Sequence, residues 1–502
     1  MLKESKTIQE RTQRTKAFKT RSKSNKLINN SSLYIINNVT YNDYKNDIDL
    51  TENLDKLGIN GRNENVITDD IYTQFATTFF KKPNEIMIPT KVKSLLEREL
   101  PKHYLHKIHG GTKTKENIKV AVELCLLFLS QLSSTYRNIL NGNSPEGWKS
   151  LRAEYLRQLL RIDNQTYQHV KKTLLEFQYD SGPILEERFY IVGVQSYGYR
   201  LGESFRSKGY ISYELKTKKV QELFRKSCTR KLRLAEKNSI CLNLIEFYKT
   251  IVLPTEKEIQ DEADRLITEG YENKKGKKLI RMNKKSRTYY PDTANLSFVE
   301  DALKIFRYLT KNGLMIPRPG NEKSGGRIVD SLVLMPSWIR KLIKINGRSI
   351  VEADYSCLHP NIAMKLYNGN ARYLNHENLA NKLKIDIRLV KTEHLSFFNK
   401  EIWQMKQSPL FNYYQKHEPI MQDAIIKEKN ESEYGHKITS LRLFSKEVEL
   451  MTEVVSRLNE EGVFVGYVYD ALFFDPIHAI KVKEVMGEVA AEFSVFTTAK
   501  LE

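Results

Sequence analysis

Residues 349–364 read Ser349-Ile-Val-Glu-Ala-Asp-Tyr-Ser-Cys-Leu-His-Pro-Asn-Ile-Ala-Met364, and they place Asp354 at the end of a short apolar strand pattern. Residues 463–475 read Val463-Phe-Val-Gly-Tyr-Val-Tyr-Asp-Ala-Leu-Phe-Phe-Asp475, and they do the same with Asp470. An ionised carboxylate among apolar side chains must be paired or coordinate a metal, because its desolvation is otherwise too costly. Two such strands side by side would hold both carboxylates where one or two Mg²⁺ ions bind. This pair is therefore the strongest indication of function.

Composition limits the classes of protein that the chain can belong to. Its 502 residues predict two or three domains rather than one core. Its 81 Lys and Arg against 61 Asp and Glu give a net charge of +20, which indicates a polyanionic partner, nucleic acid first and a membrane surface second. Because there is no apolar run of about 18 residues and no signal-peptide pattern, we expect a soluble cytoplasmic protein without membrane contact. Four cysteines without C-x-x-C spacing argue against a zinc knuckle or a disulfide framework.

The N-terminal half predicts a basic arm followed by a compact nucleic-acid-binding domain. Residues 1–70 are rich in Lys, Asn and charged side chains, and we expect them to be largely disordered. The domain is expected over 71–218. Within it, apolar residues recur with helical periodicity over 116–140, which predicts a buried helix.

After a turn at 141–147, the pattern predicts two short amphipathic helices over 151–160 and 164–177, and then strands over 184–201. This order resembles the winged-helix modules of phage and plasmid replication proteins. The resemblance implies that the second helix faces nucleic acid. The residues that it would present are Thr166, Gln168, His169, Lys171 and Lys172. The alternative is a helical scaffold whose Lys and Arg only keep it soluble.

Residues 219–289 predict a helical segment followed by a basic linker. The helical pattern covers 219–272. The run 274–287 holds eight positive charges and no negative one, which is typical of a linker, a phosphate-facing loop or a solvated surface.

The region 290–502 carries the most specific pattern. A glycine turn ends in Arg327, a second arginine stands at Arg340, Asn346-Gly347 predicts a hairpin, a strand reaches Asp354, and a helix follows Pro360. This order resembles the palm of the family A DNA polymerases, the bacterial DNA polymerase I group, in which a Gly-Arg, a second Arg and an Asp-Tyr-Ser precede a helix.

The second aspartate stands in a matching context. We predict a helix over 449–461 that Gly462 ends, a hairpin over 463–474 whose turn carries Tyr469-Asp470-Ala471, and a helix over 479–493. Family A polymerases have His-Asp-Glu at this turn, so the chain differs at Tyr469 and Ala471 but retains the aspartate. The difference bears on positioning of the primer end more than on metal chemistry.

The resemblance implies an α+β fold: a right-hand polymerase palm, made of an antiparallel sheet plus helices, with fingers in 290–502, behind a mainly α-helical N-terminal region that contains the winged helix. It implies that Asp354, Asp470 and the backbone carbonyl near Tyr355 hold two Mg²⁺ ions, for which Mn²⁺ can substitute. In nucleotidyl transfer one ion lowers the pKa of the attacking 3′-hydroxyl and the other neutralises charge on the triphosphate. The resemblance also implies that Arg327 and Arg340 contact the primer-template.

Three further residues take their roles from the same resemblance. His359 stands five residues after Asp354, where family A polymerases carry a Glu beside the ribose 2′-position, which implies a sugar gate. An imidazole can exclude a 2′-hydroxyl or hydrogen-bond it, so dNTP and rNTP both remain open, and a helix cap is the alternative role. Arg388 and Lys391, one turn apart, are the best match to a fingers helix that grips triphosphate oxygens. Their spacing is shorter than the family's, and Tyr434-Gly435 lies far downstream.

The sequence therefore predicts a template-directed nucleotidyltransferase, a DNA-dependent DNA polymerase of a phage, plasmid or other mobile element. Its partners would be nucleoside triphosphates and primer-template DNA, with RNA as another template. A single-subunit RNA polymerase or primase-like enzyme is one alternative, which Ser356-Cys357 favours because it resembles the corresponding motif of the phage-type enzymes. A non-catalytic DNA-binding replication initiator or regulator with a degenerate palm is another, which the irregular fingers favour.

Overall fold

We describe the protein from a computed structural model. It describes residues 79–103, 113–136, 146–176, 178–179, 182–189, 197–206, 208–273, 276–282 and 295–502. The predicted disordered arm over 1–70, most of the predicted turn at 141–147 and half of the basic run 274–287 lie outside these residues. Within them, no helix has the length and apolar character needed to span a membrane.

Two hydrophobic cores organise the described chain. One is built from residues between Ile86 and Val220, and the other from Phe79 and residues between Cys228 and Ala499. Phe224 packs against both cores. The helical segment over 219–272 is therefore not separate from the C-terminal region, because most of it packs into the same core as the two aspartate strands.

The N-terminal unit is mainly helical, with short strands. Its helices are α1 (Val92–His103), α2 (Lys115–Ser130), α3 (Ala153–Leu159), α4 (Thr166–Glu176) and α5 (Glu203–Arg206). Its strands are β1 (Glu85–Pro89), β2 (Lys149–Ser150), β3 (Gln178–Tyr179), β4 (Gly182–Pro183), β5 (Leu185–Arg188), β6 (Gly198–Leu201) and β7 (Tyr210–Glu214). β1 pairs with β7, β3 pairs with β4, and β2, β6 and β5 form a three-stranded antiparallel sheet in that order.

The two predicted amphipathic helices are present as α3 and α4, but two expectations for this unit are wrong. The helix predicted over 116–140 ends at Ser130, because the hydroxyls of Ser130 and Thr135 bond to backbone carbonyls and the chain continues in tight turns. Thr166 does not face outward. It is completely buried, and its N–H and hydroxyl both donate to the Asp163 carboxylate at the start of α4.

The C-terminal unit contains fourteen labelled helices among the described residues. They are α6 (Lys218–Ala235), α7 (Ser239–Tyr248), α8 (Glu256–Thr268), α9 (Val299–Thr310), α10 (Ser331–Leu334), α11 (Ser337–Arg340), α12 (Leu358–Leu366), α13 (His376–Leu383), α14 (Ile387–Phe397), α15 (Ile402–Met405), α16 (Pro409–His417), α17 (Pro419–Glu431), α18 (Ile438–Glu460) and α19 (Ala479–Glu492). Polar side chains begin several of them. Asn238 caps α7, and Thr255 and Glu258 form a capping box at α8.

The strands of this unit form three small sheets. They are β8 (Ile251–Val252), β9 (Lys278–Ile280), β10 (Leu296–Phe298), β11 (Lys344–Ile345), β12 (Arg348–Ser349), β13 (Val351–Tyr355), β14 (Gly466–Val468), β15 (Ala471–Phe474) and β16 (Ala499–Leu501). The central sheet is antiparallel in the order β14-β15-β13-β16, a second antiparallel sheet has the order β12-β11-β8, and β9 and β10 pair in parallel. Helices together with small, mostly antiparallel sheets are compatible with the predicted α+β class.

One face of the central sheet packs on α19, and Asp354 lies on the other face. Ala353 is completely buried, and the hydroxyl of Tyr355 donates to the backbone oxygen of Met486 on α19 at 2.6 Å. Because side chains alternate along a strand, Asp354 lies on the opposite face, together with its cross-strand neighbours Ala471 and Lys500.

The predicted turns around the aspartate strands are confirmed. Asn346 and Gly347 join β11 to β12 with φ of 51° and 79°, the positive values that a two-residue type I′ hairpin requires. Tyr469 and Asp470 form the turn between β14 and β15, and Tyr469 has φ of 60°. Asn243 fixes this hairpin to α7, because its side chain makes two hydrogen bonds with the backbone of Val465, at 2.6 and 2.9 Å.

Two helix starts differ from the prediction. The helix expected after Pro360 begins at Leu358, and Pro360 fits inside it because N–H groups of the first turn have no intrahelical acceptor. The helix expected from residue 449 begins at Ile438. Its buried side includes Thr439 and the charged residue Glu447, which hide the apolar periodicity.

Candidate active site

The pairing of β13 with β15 brings Asp354 and Asp470 to the same end of the central sheet. Asp354 lies opposite Ala471, the residue that follows Asp470. The backbone N–H of Tyr355 donates to the backbone oxygen of Asp470 at 3.3 Å. Both aspartates are half-buried. The two strands that the sequence predicted to be side by side are direct neighbours.

The backbone carbonyl of Tyr355 is directed towards the strand edge at which Asp470 lies. In a strand the N–H and C=O of one residue point to the same neighbour, and the N–H of Tyr355 points to Asp470. Two carboxylates and one carbonyl are hard oxygen donors of the type that Mg²⁺ prefers. Among the described residues, no cluster of three or more His, Cys, Asp or Glu side chains has metal-binding geometry. The described residues therefore offer an ion at this place two carboxylates and one carbonyl, and no third acidic, His or Cys side chain.

The surroundings of Asp470 disfavour its ionised form. Burial raises the pKa of Asp470, and the negative charge of Glu447 adds to the rise, whereas His359 and Arg327 act in the opposite direction. A divalent cation beside the carboxylate would reverse this effect, because it stabilises the ionised form.

Arg327, Glu447 and His359 form a hydrogen-bonded cluster beside Asp470, which we call the triad. Arg327 donates from Nε to Oε1 of Glu447 at 2.8 Å and from Nη2 to Oε2 at 2.6 Å. His359 Nε2 lies 2.6 Å from the same Oε2. Glu447 is completely buried and Arg327 is 7% exposed. The triad joins the glycine turn, α12 and α18 through a single carboxylate.

Aromatic rings hold the guanidinium of the triad in place. Arg327 lies 3.6 Å from the ring centre of Phe444 and 4.5 Å from that of Tyr469, which stands in the hairpin turn. The glycine turn approaches α18 closely. Gly325 has φ of 63°, and a Cβ there would collide with the side chain of Phe444. This contact explains the glycine at position 325, and Gly326, which directly precedes Arg327, has φ of 79°.

The charges of the triad depend on one another. Burial opposes ionisation of Glu447, but Arg327 and His359 outweigh it and lower the pKa of Glu447 to about 2. Burial likewise opposes the charge of Arg327, but Glu447 outweighs it and raises the pKa of Arg327 above its usual value. Since an ionised carboxylate only accepts hydrogen bonds, Nε2 of His359 must carry a proton. Its other ring nitrogen, Nδ1, makes no hydrogen bond with the described residues.

Arg340 is also mostly buried, next to the hairpin that carries Asp470. It is 8% exposed, its Nη1 donates to the backbone oxygen of Leu332 at 2.8 Å, and its guanidinium lies 4.8 Å from the ring centre of Phe473 on β15. Burial lowers the pKa of Arg340. Arg327 and Arg340 therefore both stand next to the hairpin that carries Asp470, with little of either side chain exposed.

The predicted fingers residues lie on α14, within the helical segment between α12 and α18. Arg388 and Lys391 are both exposed. Among the described residues, the side chain of Arg388 has no hydrogen bond or ion pair. The charge of Lys391 reaches His376 and Cys357, and Cys357 follows Asp354 by three residues. The structure thus brings Lys391 into electrostatic range of the turn after β13.

Sequence reasoning missed two residues at this site. Glu447 gives a local signal, a carboxylate on the apolar side of a helix, but its partners are far away in the sequence. Lys500 stands opposite Asp354 on β16. Because β16 has only three residues and two of them are exposed, neither its existence nor its register is readable from the sequence.

The triad predicts a large loss of stability in a conservative variant. Glu447→Gln retains the shape of the side chain but leaves Arg327 as a buried charge without a counter-ion, so we expect the free energy of unfolding to fall by about 3–5 kcal/mol. Urea unfolding followed by circular dichroism measures it. Glu449→Gln, two residues later on the same helix and exposed, should cost less than about 1 kcal/mol. Equal losses in the two variants would contradict the role of the triad.

The same variants predict a pH dependence. A carboxyl whose pKa is lowered on folding contributes stability that is fully present above its ordinary pKa of 4.5 and is lost as pH falls towards about 2. The free energy of unfolding of the wild type should therefore decrease through this range more steeply than that of Glu447→Gln. Parallel curves would show that Glu447 does not contribute.

Comparisons with known proteins do not assign the chain to a family. No protein-family model matches the chain, and no curated protein matches it. Among solved structures, the chain is similar to the polymerase domain of Pol1 from M. smegmatis, in complex with DNA primer-template and dNTP. The similarity covers 56% of this chain and 72% of that chain, with 11% sequence identity and a TM-score of 0.37. We therefore infer function from the geometry of the site itself.

Proposed function

We propose that the chain is a template-directed nucleotidyltransferase, a DNA polymerase whose Asp354 and Asp470 hold two Mg²⁺ ions. The observation that carries this proposal is the pairing of β13 with β15, which makes neighbours of two half-buried carboxylates that are far apart in the sequence. A high positive net charge supports nucleic acid as the partner.

Each residue of the site has a role in this proposal. When bound, the ions supply activation of a 3′-hydroxyl and neutralisation of triphosphate charge. Asp354, Asp470 and the Tyr355 carbonyl bind and orient them. Arg388 and Lys391 contact the triphosphate from α14.

The two buried arginines act through other groups. Arg327 is a positioning residue, because its bidentate contact fixes Glu447 and thereby His359. Arg340 supports the hairpin through its contact with Phe473. With 7% and 8% of their surfaces exposed, these arginines present little to the primer-template directly.

An RNA polymerase or primase-like enzyme is the second candidate, and His359 favours it. Its Nε2 is engaged by Glu447, and whenever the ring is neutral its Nδ1 is a hydrogen-bond acceptor. The hydroxyl at the 2′-position of a ribonucleotide is a donor that such an acceptor can bind. A deoxyribonucleotide lacks this hydroxyl.

We also propose that the N-terminal unit binds nucleic acid as a winged helix. The chain order supports it: helix α2, strand β2, helices α3 and α4, and strands β5 and β6, with the three strands in one sheet. On α4, Gln168 and Lys172 are exposed. Lys171 pairs with Glu187 on β5 at 3.0 Å, and we assign it to fixing the strands against the helix.

The metal assignment predicts loss of synthesis in two variants. Asp354→Asn and Asp470→Asn each remove a negative charge that would hold the ions. Bound metal ions stabilise the transition state of such reactions by several kcal/mol. We expect primer extension to slow by about a thousandfold in each. Asp261→Asn, an exposed change on α8, is the control and should retain full activity.

The outcomes of primer extension separate the classes of function. Unchanged activity in Asp354→Asn or Asp470→Asn would refute the metal assignment. Site-specific duplex binding by the wild type without any incorporation would favour the non-catalytic initiator over a polymerase.

The proposed contact of His359 with the sugar predicts how His359 variants change the preference for rNTP over dNTP. If Nδ1 accepts a hydrogen bond from a 2′-hydroxyl, His359→Ala should lower the preference for rNTP over dNTP by up to about tenfold, measured as the ratio of kcat/KM on one template. His359→Gln, which keeps an acceptor, should recover part of the preference. A higher preference for rNTP in His359→Ala would instead identify a gate that excludes the 2′-hydroxyl.

The winged-helix proposal predicts an electrostatic contribution from α4. Lys172→Gln should weaken duplex DNA binding at all sequences and lower the slope of log Kd against log salt concentration by about one. Lys102→Gln, an exposed lysine on α1, is the control. If the two variants show the same slope, α4 does not contact the phosphates.

A further inference from the structure

Lys500 stands directly opposite Asp354 in the central sheet. The register pairs Asp354 on β13 with Lys500 on β16. Side chains of directly opposed residues lie on the same face, with Cβ atoms about 5 Å apart. Lys500 is exposed, and its side chain leaves the sheet on the same face as that of Asp354.

Backbone bonds fix the strand that carries Lys500. The N–H of Ser356 donates to the oxygen of Thr498 at 2.9 Å, and the hydroxyl of Thr497 donates to the oxygen of Ser356 at 2.7 Å. Glu352 and Glu502 exchange two backbone hydrogen bonds, at 3.1 and 2.8 Å. Lys500 is thus held on both sides against β13 and against the turn that follows Asp354.

Lys391 approaches the same turn from another element. It precedes His394 by one turn of α14, and the ring of His394 lies 4.9 Å from that of His376. The backbone N–H of His376 lies close to the sulfur of Cys357, next to Ser356. A chain of contacts therefore leads from α14 to the end of β13.

The two lysines act on one common group. Burial and the positive charges of Lys391 and Lys500 together lower the pKa of His376 to about 4. Both ammonium groups are therefore in electrostatic range of one imidazole. The nine-residue helix α12 also begins here, at Leu358, and its first turn contributes the positive end of a helix dipole.

We propose that Lys391 and Lys500 form an anion site that binds the phosphates of a nucleoside triphosphate beside Asp354. This inference rests on the proposed function and deepens it, because it adds a residue of the last strand to the triphosphate contacts. An ammonium group donates charge-assisted hydrogen bonds to phosphate oxygens. The spacing across one strand pair would let a polyphosphate chain contact Lys500 while Asp354 holds a metal ion.

Binding of inorganic tripolyphosphate to the full chain, measured by isothermal titration calorimetry at constant Mg²⁺ concentration, tests the site. Lys500→Gln and Lys391→Gln should each raise Kd by about tenfold or more, the effect of losing one charge-assisted hydrogen bond. Lys500→Arg should bind close to the wild type. The control Lys483→Gln changes an exposed lysine on α19, which covers the other face of the sheet, and should leave Kd unchanged. Thermal unfolding by circular dichroism checks that each variant is folded.

The outcomes distinguish this inference from the proposed function. If Lys500→Gln binds tripolyphosphate as the wild type does, or if the wild type does not bind it, the anion site is wrong even where primer extension succeeds. If binding depends on both lysines but the wild type incorporates no nucleotide, the anion site is supported and the polymerase proposal fails.

Discussion

The register of β13 between β15 and β16 is the constraint on which the rest of the site depends. It places Asp354 opposite Ala471 and Lys500 and leaves Ala353 and Tyr355 on the helix side. A slip of one residue would exchange the side chains on the two faces of β13. Asp354 would then face the helices, and Tyr355 would lie on the opposite face. The buried ring of Tyr355, with its hydroxyl bound to α19, makes that exchange costly. Packing on one face of the strand thus determines the chemistry on the other.

The triad adds a second constraint, which is electrostatic. Glu447 joins three segments that are distant in the sequence, and its ion pair with Arg327 keeps two buried charges together next to Asp470. A buried ion pair is weak evidence of net stability, because desolvation offsets much of the attraction. Its value here is geometric, since it orients His359 and fixes which ring nitrogen stays available. The charge arrangement therefore fixes the position of His359 in addition to its contribution to stability.

The parts that sequence predicted are those specified locally. Asn346-Gly347 specifies its hairpin by itself, and the apolar residues around Asp354 and Asp470 specify their strands. The parts that sequence missed depend on distant partners. The start of α18 was hidden because Glu447 is buried against an arginine 120 positions earlier. Whether Lys500 meets Asp354 depends on a register that three residues cannot specify, and the packing of 219–272 with the C-terminal core is a long-range property as well.

The balance of charge around Asp354 argues for a site that binds a polyanion together with a cation. The two aspartates repel a bare triphosphate, and burial and Glu447 further disfavour ionised Asp470. A divalent ion would reduce that repulsion, and in our proposal Lys500, which lies across one strand pair from Asp354, contacts the phosphates. An ammonium group opposite the ligand Asp354 opposes the binding of a cation alone, because the two positive charges repel each other. Carboxylates likewise oppose the binding of an anion alone, so the two sets of charges together support the proposal that a metal–triphosphate complex binds between them.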